Sequence, residues 1–380
     1  MLLPKAFYFF FYAAGAALVP YLVLHYRQMG LSGGQIGLLA GISPLITLIS
    51  APLWGALADL TQRHKAVLMV AIGGVWSAVF ALSAATSFAQ IIPIIMAYAF
   101  CGAPIIALVD NSVLALLGAH KDQYGKQRLW GAIGWGVAGP IMGWVIEQAG
   151  LRWIFAGYLL CMFCVLLVAS RLVVSRSHIG TRFGSGLQRL LANRQWVVFL
   201  VTVFCAAMGL SLSNNFLFLH LSDLGASKTL MGMALLFGTL SEIPVLFFAD
   251  RLLRRWGSRG LLIFAMIAYA ARAFAYSFMR VPWLVLPIQL LHGPSFSAMW
   301  VAGVSYAHEI APEGMGATAQ GVFSAVTMGL GAACGAFLGG WLYETVGGAI
   351  MFLWMGVIAT MGLTFFILAH NYSGIPRSNC

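Results

Sequence analysis

Charge is what this chain lacks. Only 8% of its 380 residues are charged, where soluble domains carry about a quarter. A water-solvated fold is excluded by that figure, and 61% hydrophobic content with a mean hydropathy of +0.91 points to lipid as the solvent. Acid is scarcest, with 10 Asp and Glu against 21 Lys and Arg, a net charge of +11. In a soluble protein such a balance would suggest nucleic acid. Here the basic residues lie in short loops between apolar runs, so no nucleic-acid partner is expected.

Chemical motifs are missing as well. No G-x-x-x-x-G-K-[ST] stretch exists to cradle a nucleotide phosphate, which argues against a nucleotide-driven pump. Ser305 follows Gly303 but has Ala307 where a G-x-S-x-G elbow needs its second glycine. His308-Glu309 opens like H-E-x-x-H, yet Pro312 occupies the place of the second His. Of the six cysteines only Cys161 and Cys164 have C-x-x-C spacing, and no second pair completes a zinc site. Neither an enzyme nor a metal or organic cofactor is expected.

What is present is a succession of apolar runs of membrane-crossing length. They fall at about 5–26, 34–58, 66–86, 89–117, 127–148, 152–174, 196–220, 230–250, 260–279, 282–308, 318–343 and 348–370. An all-α membrane protein of twelve transmembrane helices follows. The first run has no convincing small-residue cleavage site and is read as a span rather than a secretory signal. Residues 1–174 make one six-helix half, 175–195 a basic linker, 196–370 a second half and 371–380 a tail. Only Arg27, Arg152, Lys228 and Arg280 fall on one side of the membrane and Arg272 inside a span, while the remaining Lys and Arg gather on the other side. Positive charge is retained in the cytoplasm, so both termini are expected there, in the inner (plasma) membrane of the cell.

The halves repeat one another. Gly143-Trp144-x-x-Glu147-x-x-Gly150 recurs as Gly340-Trp341-x-x-Glu344-x-x-Gly347, and Asp59-x-x-x-Arg63 recurs as Asp250-x-x-x-Arg254. Two parallel six-span units of this kind characterise secondary transporters that rock about a midplane site. A non-transporting receptor on the same scaffold is the alternative the residues leave open.

Ionisable residues within spans are costly and mark candidate sites. Asp110 on span four and Arg128 on span five are equidistant from the hairpin centre at position 119, which pairs them at one depth. Trp135 lies two turns beyond Arg128 on the same face, about 10 Å deeper. An indole beside a charge pair suits a sugar ring; a structural ion pair with a packing tryptophan is the other reading. In the second half Glu242, Arg272 and His292 sit near mid-membrane, and Gln289, His292 and Ser295 form a stripe spaced by three. Asp59, Arg63, Asp250 and Arg254, at span ends, are read as gating residues whose salt bridges break during rocking. The repeated glycines 139 and 143, and 331, 335 and 339, are read as close-packing surfaces.

These residues resemble the major facilitator superfamily over the whole chain. Gly55-x-x-x-Asp59-x-x-x-Arg63-His64-Lys65 is similar to its signature between spans two and three. Tyr124-Gly125-x-x-Arg128-x-x-Gly131-x-x-Gly134-Trp135 resembles most specifically the branch holding lactose permease, phenylpropionate-type permeases and nucleoside symporters. The resemblance implies that Asp110, Arg128 and Trp135 bind substrate, with Asp in place of the permease's Glu. It places Glu242 at an acid used for both sugar and coupling, and Arg272 and His292 in the coupling region. Ser295 stands where the permease has its proton-carrying acid, while Ser213, Leu210, Gln289 and Met328 replace its other intramembrane ion pairs. The expectation is a monomeric proton-coupled symporter of a sugar or sugar-containing small molecule, with the proton as coupling ion and lipid as its surround. A nucleoside or aromatic-acid permease is the alternative.

Overall fold

Hydrocarbon offers a backbone no hydrogen-bond partner, so an apolar chain must satisfy its amides within helices. A computed structural model describes residues 2–120, 123–172, 190, 192–312 and 315–371, and these are helical with no strand among them. The expected linker falls almost wholly, and the expected tail almost wholly, outside the described residues.

The first half comprises α1 (Leu2–Gln28), α2 (Gly33–Thr61), α3 (His64–Ala84), α4 (Phe88–Leu117), α5 (Tyr124–Ala149) and α6 (Trp153–Arg171). The second comprises α7 (Arg194–Asp223), α8 (Lys228–Phe247), α9 (Ala249–Phe278) and α10 (Pro282–Glu309), followed by α11 (316–346) and α12 (348–371). Among the described residues, eleven continuous helical stretches are long and apolar enough to cross a membrane. The last, Thr318–Ala369, holds two spans, separated by a backbone break at Gly347 with φ 77°. That positive φ is open to glycine and strained for other residues. The result is the twelve-helix architecture of the major facilitator fold.

Several spans are less regular than their apolar runs suggest. α4 breaks at Ala103 and Pro104, since Pro104 has no N–H to donate. α10 is assembled from a 3-10 turn at Pro282–Leu284, a short helix Val285–Gln289, a π turn at Gly293–Ser297 and the helix Ala298–Glu309. α11 contains a second π turn at Ala325–Gly331. Asp250, expected at the end of span eight, instead begins a helical stretch 249–256 that precedes a break at Gly257. Such interruptions frequently mark functional positions.

The halves meet along α5 with α8, α2 with α11 and α1 with α7. Glycine makes these approaches close. A Cβ on Gly232 or Gly143 would collide with the facing backbone of α5 or α8, and one on Gly37 would come 2.8 Å from the Gly340 Cα. The stripe 331, 335 and 339 packs within its own half, against Ala207, Met208 and Phe216 of α7.

The repeated acids supply the polar part of this seam. Glu344, at the end of α11, accepts from Gly34 N at 2.6 Å and from Ser32 Oγ at 2.9 Å, at the N-terminus of α2. Glu147, at the end of α5, accepts from Lys228 N at 2.6 Å and Thr229 N at 3.2 Å, at the N-terminus of α8. Each half therefore caps a helix of the other with a carboxylate, where orphan amides and the helix dipole favour negative charge. Arg27 adds a third tie, donating to Asp223 and, at 2.8 Å, to Tyr343. Cross-half hydrogen bonds among the described residues all lie at this end, opposite the basic end of Arg63 and Arg254. These bonds tie the two halves together at this end.

These caps exist only while the seam is shut. Replacing both Glu147 and Glu344 with Gln should populate states with this end open. Spin labels at Gln28 and Leu224 should then show a longer-distance component, and an unchanged distance distribution would remove the caps from the balance between states.

Candidate functional site

Two polar clusters face the space between the halves, one on each. In the first, Gly131 and Gly134 let α1 lie directly on α5: a Cβ on Gly134 would collide with the Phe9 carbonyl and one on Gly131 would sit 2.5 Å from the Tyr12 ring. This approach brings Tyr8 and Tyr12 of α1 to the α4–α5 pair. Arg128 Nη1 donates to Asp110 Oδ2 at 2.8 Å and to Tyr124 OH at 2.9 Å, while Nη2 donates to Tyr12 OH at 3.2 Å. Tyr8 OH completes the set by donating to Asp110 Oδ1 at 2.6 Å.

The structure thus brings Asp110 and Arg128 together and surrounds them with three phenols, of which the sequence argument named Tyr124 only as a motif residue and Tyr8 and Tyr12 not at all. A signal existed: Tyr8 and Tyr12 share a helix face at i and i+4, and Tyr124 precedes Arg128 by four. The Arg128 side chain is 44% exposed and that of Asp110 21%, so the pair is only partly enclosed. Trp135 is half-buried, with its ring 3.1 Å from the position of a Cβ on Gly15 of α1. It occupies the same α1-facing side of α5 as Arg128.

The second cluster is a chain of polar groups across α8, α9 and α10. Arg272 is 1% exposed, and its Nη1 contacts His292 Nδ1 at 2.6 Å and donates to Ser295 Oγ at 2.9 Å. A guanidinium has donors only, so His292 Nδ1 must accept and the ring hydrogen resides on Nε2. That nitrogen lies 3.4 Å from Glu242 Oε1, and Ser297 Oγ donates to the other carboxylate oxygen at 3.2 Å. Glu242, His292 and Arg272 accordingly form one line, with the neutral imidazole between the charges.

The π turn of α10 aims these groups. Gly293 is pressed against α8 so tightly that a Cβ would collide with the Ser241 carbonyl, and its amide donates to Ser241 Oγ at 2.8 Å. Ser295 turns toward Arg272 from within that turn, and Gln289 accepts from Tyr276 OH at 3.1 Å. Ser297 is the member of this cluster that spacing did not reveal, because the π turn shifts it off the stripe of 289, 292 and 295. The two clusters border one joint, where Gly136 of α5, beside Trp135, faces Thr239 of α8, three residues before Glu242.

The span-end residues lie apart from both clusters, at the basic end. Asp59 in the last turn of α2 lies 3.3 Å from His64 Nε2, and Arg63 is exposed at the N-cap of α3. Asp250 and Arg254 are exposed on the 249–256 stretch. Chemically, the first cluster presents a planar cation, a carboxylate, phenols and an indole. The second offers a carboxylate poised on an imidazole. Among the described residues no group of His, Cys, Asp and Glu could hold a metal ion.

Comparison with known proteins places this geometry in context. The model of the MFS_1 like family matches residues 2–354. The chain is 30% identical to a maltose permease of Geobacillus stearothermophilus, over 95% of this chain and 92% of that protein. It is 28% identical to a putative nucleoside transporter, YegT of Escherichia coli, over 95% of this chain and 85% of that one. The solved structure of the nucleoside transporter NupG superimposes with a TM-score of 0.85 over 98% of this chain and 99% of that chain, at 18% identity, a likeness of fold.

The line from Glu242 to Arg272 predicts a coupling of stabilities. Arg272→Gln and Glu242→Gln should each lower the free energy of unfolding in detergent, the arginine change by at least about 1.5 kcal/mol, because a buried charged group loses its partners. The double variant should recover part of that loss. Additive losses in the double variant would show that the two charges do not sense each other.

Proposed function

The chain belongs to the MFS_1 like family and is a multi-pass membrane transporter, and from that premise we propose that it performs proton-coupled symport of a sugar or sugar-containing small molecule. Transport proceeds by alternating access in a single chain. The observation that carries the reading is the Arg128 site: a partly exposed guanidinium bonded to Asp110, Tyr124 and Tyr12, with Trp135 on the same side of α5. Vicinal hydroxyls can replace the phenols on the planar fork, while the apolar face of the ring rests on the indole.

Charge balance supports a neutral substrate. Asp110 opposes Arg128, and Glu242 opposes Arg272 through His292, so an aromatic acid would find no net positive field. A nucleoside is the second reading, favoured by the likeness to YegT, and its ribose would use the same fork. With the basic end toward the cytoplasm of the inner membrane, as the distribution of positive charge favours, the end tied by the carboxylate caps faces outward and the conformation is an inward-facing one. Asp59, Arg63, Asp250 and Arg254 then lie at the mouth and act in gating.

Glu242 carries the coupling proton in this reading. His292 Nδ1 already accepts from Arg272 and has no free lone pair, whereas the carboxylate of Glu242 is held by two neutral donors and is 22% exposed. Rocking of α8 against α9 and α10 alters that contact, so the affinity for a proton changes with conformation.

Uptake of labelled sugars, nucleosides and aromatic acids by proteoliposomes, with and without a pH gradient, tests the reading. Accumulation of a sugar driven by the gradient is expected; uptake of aromatic acids alone would refute it. Arg128→Lys keeps the charge but loses the fork, and should weaken substrate affinity by at least about tenfold, or about 1.4 kcal/mol. Normal binding by that variant would reduce the pair to a structural role. Glu242→Gln should retain exchange of substrate across the membrane but lose accumulation against a gradient. Continued accumulation would move the proton to another group, His292 first.

A further inference from the structure

The corner between α8 and α9 carries more than the Asp250 and Arg254 pair read as gating residues. Residues 249–256 form a helical stretch set off from the following span by Gly257, whose φ of 65° turns the chain. At about 100° per residue, Arg251, Arg254 and Arg255 fall within one narrow arc and Leu252, Leu253 and Trp256 within another. This is the pattern of a helix lying in a membrane interface, basic on one side and apolar with a tryptophan on the other.

Beneath it runs a groove of about 330 Å³, lined by Pro244, Phe248, Arg251, Trp256, Phe264 and Pro294 among others. Its walls are hydrocarbon and aromatic carbon, with Arg251 as the charged member. The Arg251 guanidinium lies 5.4 Å from the Phe248 ring centroid. Arg251, Arg254 and Arg255 are exposed and form no ion pair among the described residues. Asp250 is the lone acid beside them.

We infer that this groove binds an anionic phospholipid, its acyl chain along Phe248, Trp256 and Phe264 and its headgroup phosphate on Arg251 and Arg255. Charge complementarity selects the lipid. A zwitterionic headgroup would set its own cation among three arginines, whereas an anionic one adds only negative charge. A soluble anion would have no use for the apolar walls. The groove also reaches the coupling region: Pro294 follows Gly293 and His292, and Pro244 is two residues beyond Glu242. A bound acyl chain therefore packs against the turns of α8 and α10 that hold the Glu242–His292 contact.

Lipid binding can be read without transport, so this inference and the symport reading fail separately. The chain has 12 tryptophans, and comparison with Trp256→Phe isolates the fluorescence of Trp256. In mixed micelles that signal should be quenched by brominated phosphatidylglycerol at a several-fold lower mole fraction than by brominated phosphatidylcholine. The double variant Arg251→Gln with Arg255→Gln should lose the preference, and the corresponding Lys pair should keep it, which separates loss of charge from loss of folding. Equal quenching by the two lipids, or a preference surviving in the Gln pair, would overturn the inference. Relief of quenching by inorganic phosphate, and not by the same ionic strength of chloride, would also overturn it, because the arginines would then be reading a free anion.

Discussion

Every acid that this chain places in or near hydrocarbon must bring its own hydrogen-bond donors, because lipid supplies none. The described acids show how thoroughly that constraint organises the molecule. Asp110 is held by Arg128 and Tyr8, Glu242 by His292 and Ser297, Asp223 by Arg27 and Tyr343, and Glu309 by Ser258. Glu147 and Glu344 use backbone amides of the opposite half. Because the donors of these last two lie across the seam, satisfying an acid and closing one end of the transporter are the same event. The glycines on α2, α5, α8 and α11 are the steric counterpart, bringing backbones near enough for a short carboxylate to reach.

The two halves solve the same problem with different chemistry. In the first, the charge pair stays partly exposed and is dressed by phenols, groups that exchange readily with hydroxyls of a ligand. In the second, the arginine is fully buried and reaches its acid only through an imidazole. Removing water around Arg272 makes its environment intolerant of change, which suits a fixed charge against which a mobile one is measured. Arg128, 44% exposed, suits contact with a guest that comes and goes.

Much of this was legible in the sequence, for identifiable reasons. Span positions follow from apolar run length, and the Asp110–Arg128 pairing follows from equal distance to a hairpin centre, so each depended on helix geometry alone. The repeat Gly143-Trp144-x-x-Glu147 and Gly340-Trp341-x-x-Glu344 was visible too, but its purpose was not, since a cap on a helix of the other half is a contact between distant segments. Ser297 was hidden for a local reason. A π turn adds a residue to the repeat, so counting by threes along α10 passes it by. The break of α4 at Ala103 and Pro104 was signalled by the proline, whereas the 249–256 helix looked like a charged loop because its arginines broke the apolar run.

The donor inventory of the second cluster has a consequence for the proposed cycle. While Arg272 contacts His292 Nδ1, the imidazole can present only Nε2–H to Glu242, and it cannot take a second proton without setting a donor against the guanidinium. Withdrawal of α9 from α10 would free Nδ1. His292 could then share a proton with Glu242, and the group that holds the proton would differ between conformations although no residue leaves the cluster. The pivot for such a change is already constrained: Gly293 is seated on Ser241 without space for a Cβ, so α10 can turn about that contact more easily than it can slide along α8. Rotation there moves His292 and Ser295, on either side of Gly293, relative to Arg272 while Ser241 keeps its bond to the Gly293 amide. In the proposed proton-coupled cycle such a rotation would change proton affinity without exposing the buried arginine, with the seat of Gly293 on Ser241 as its pivot.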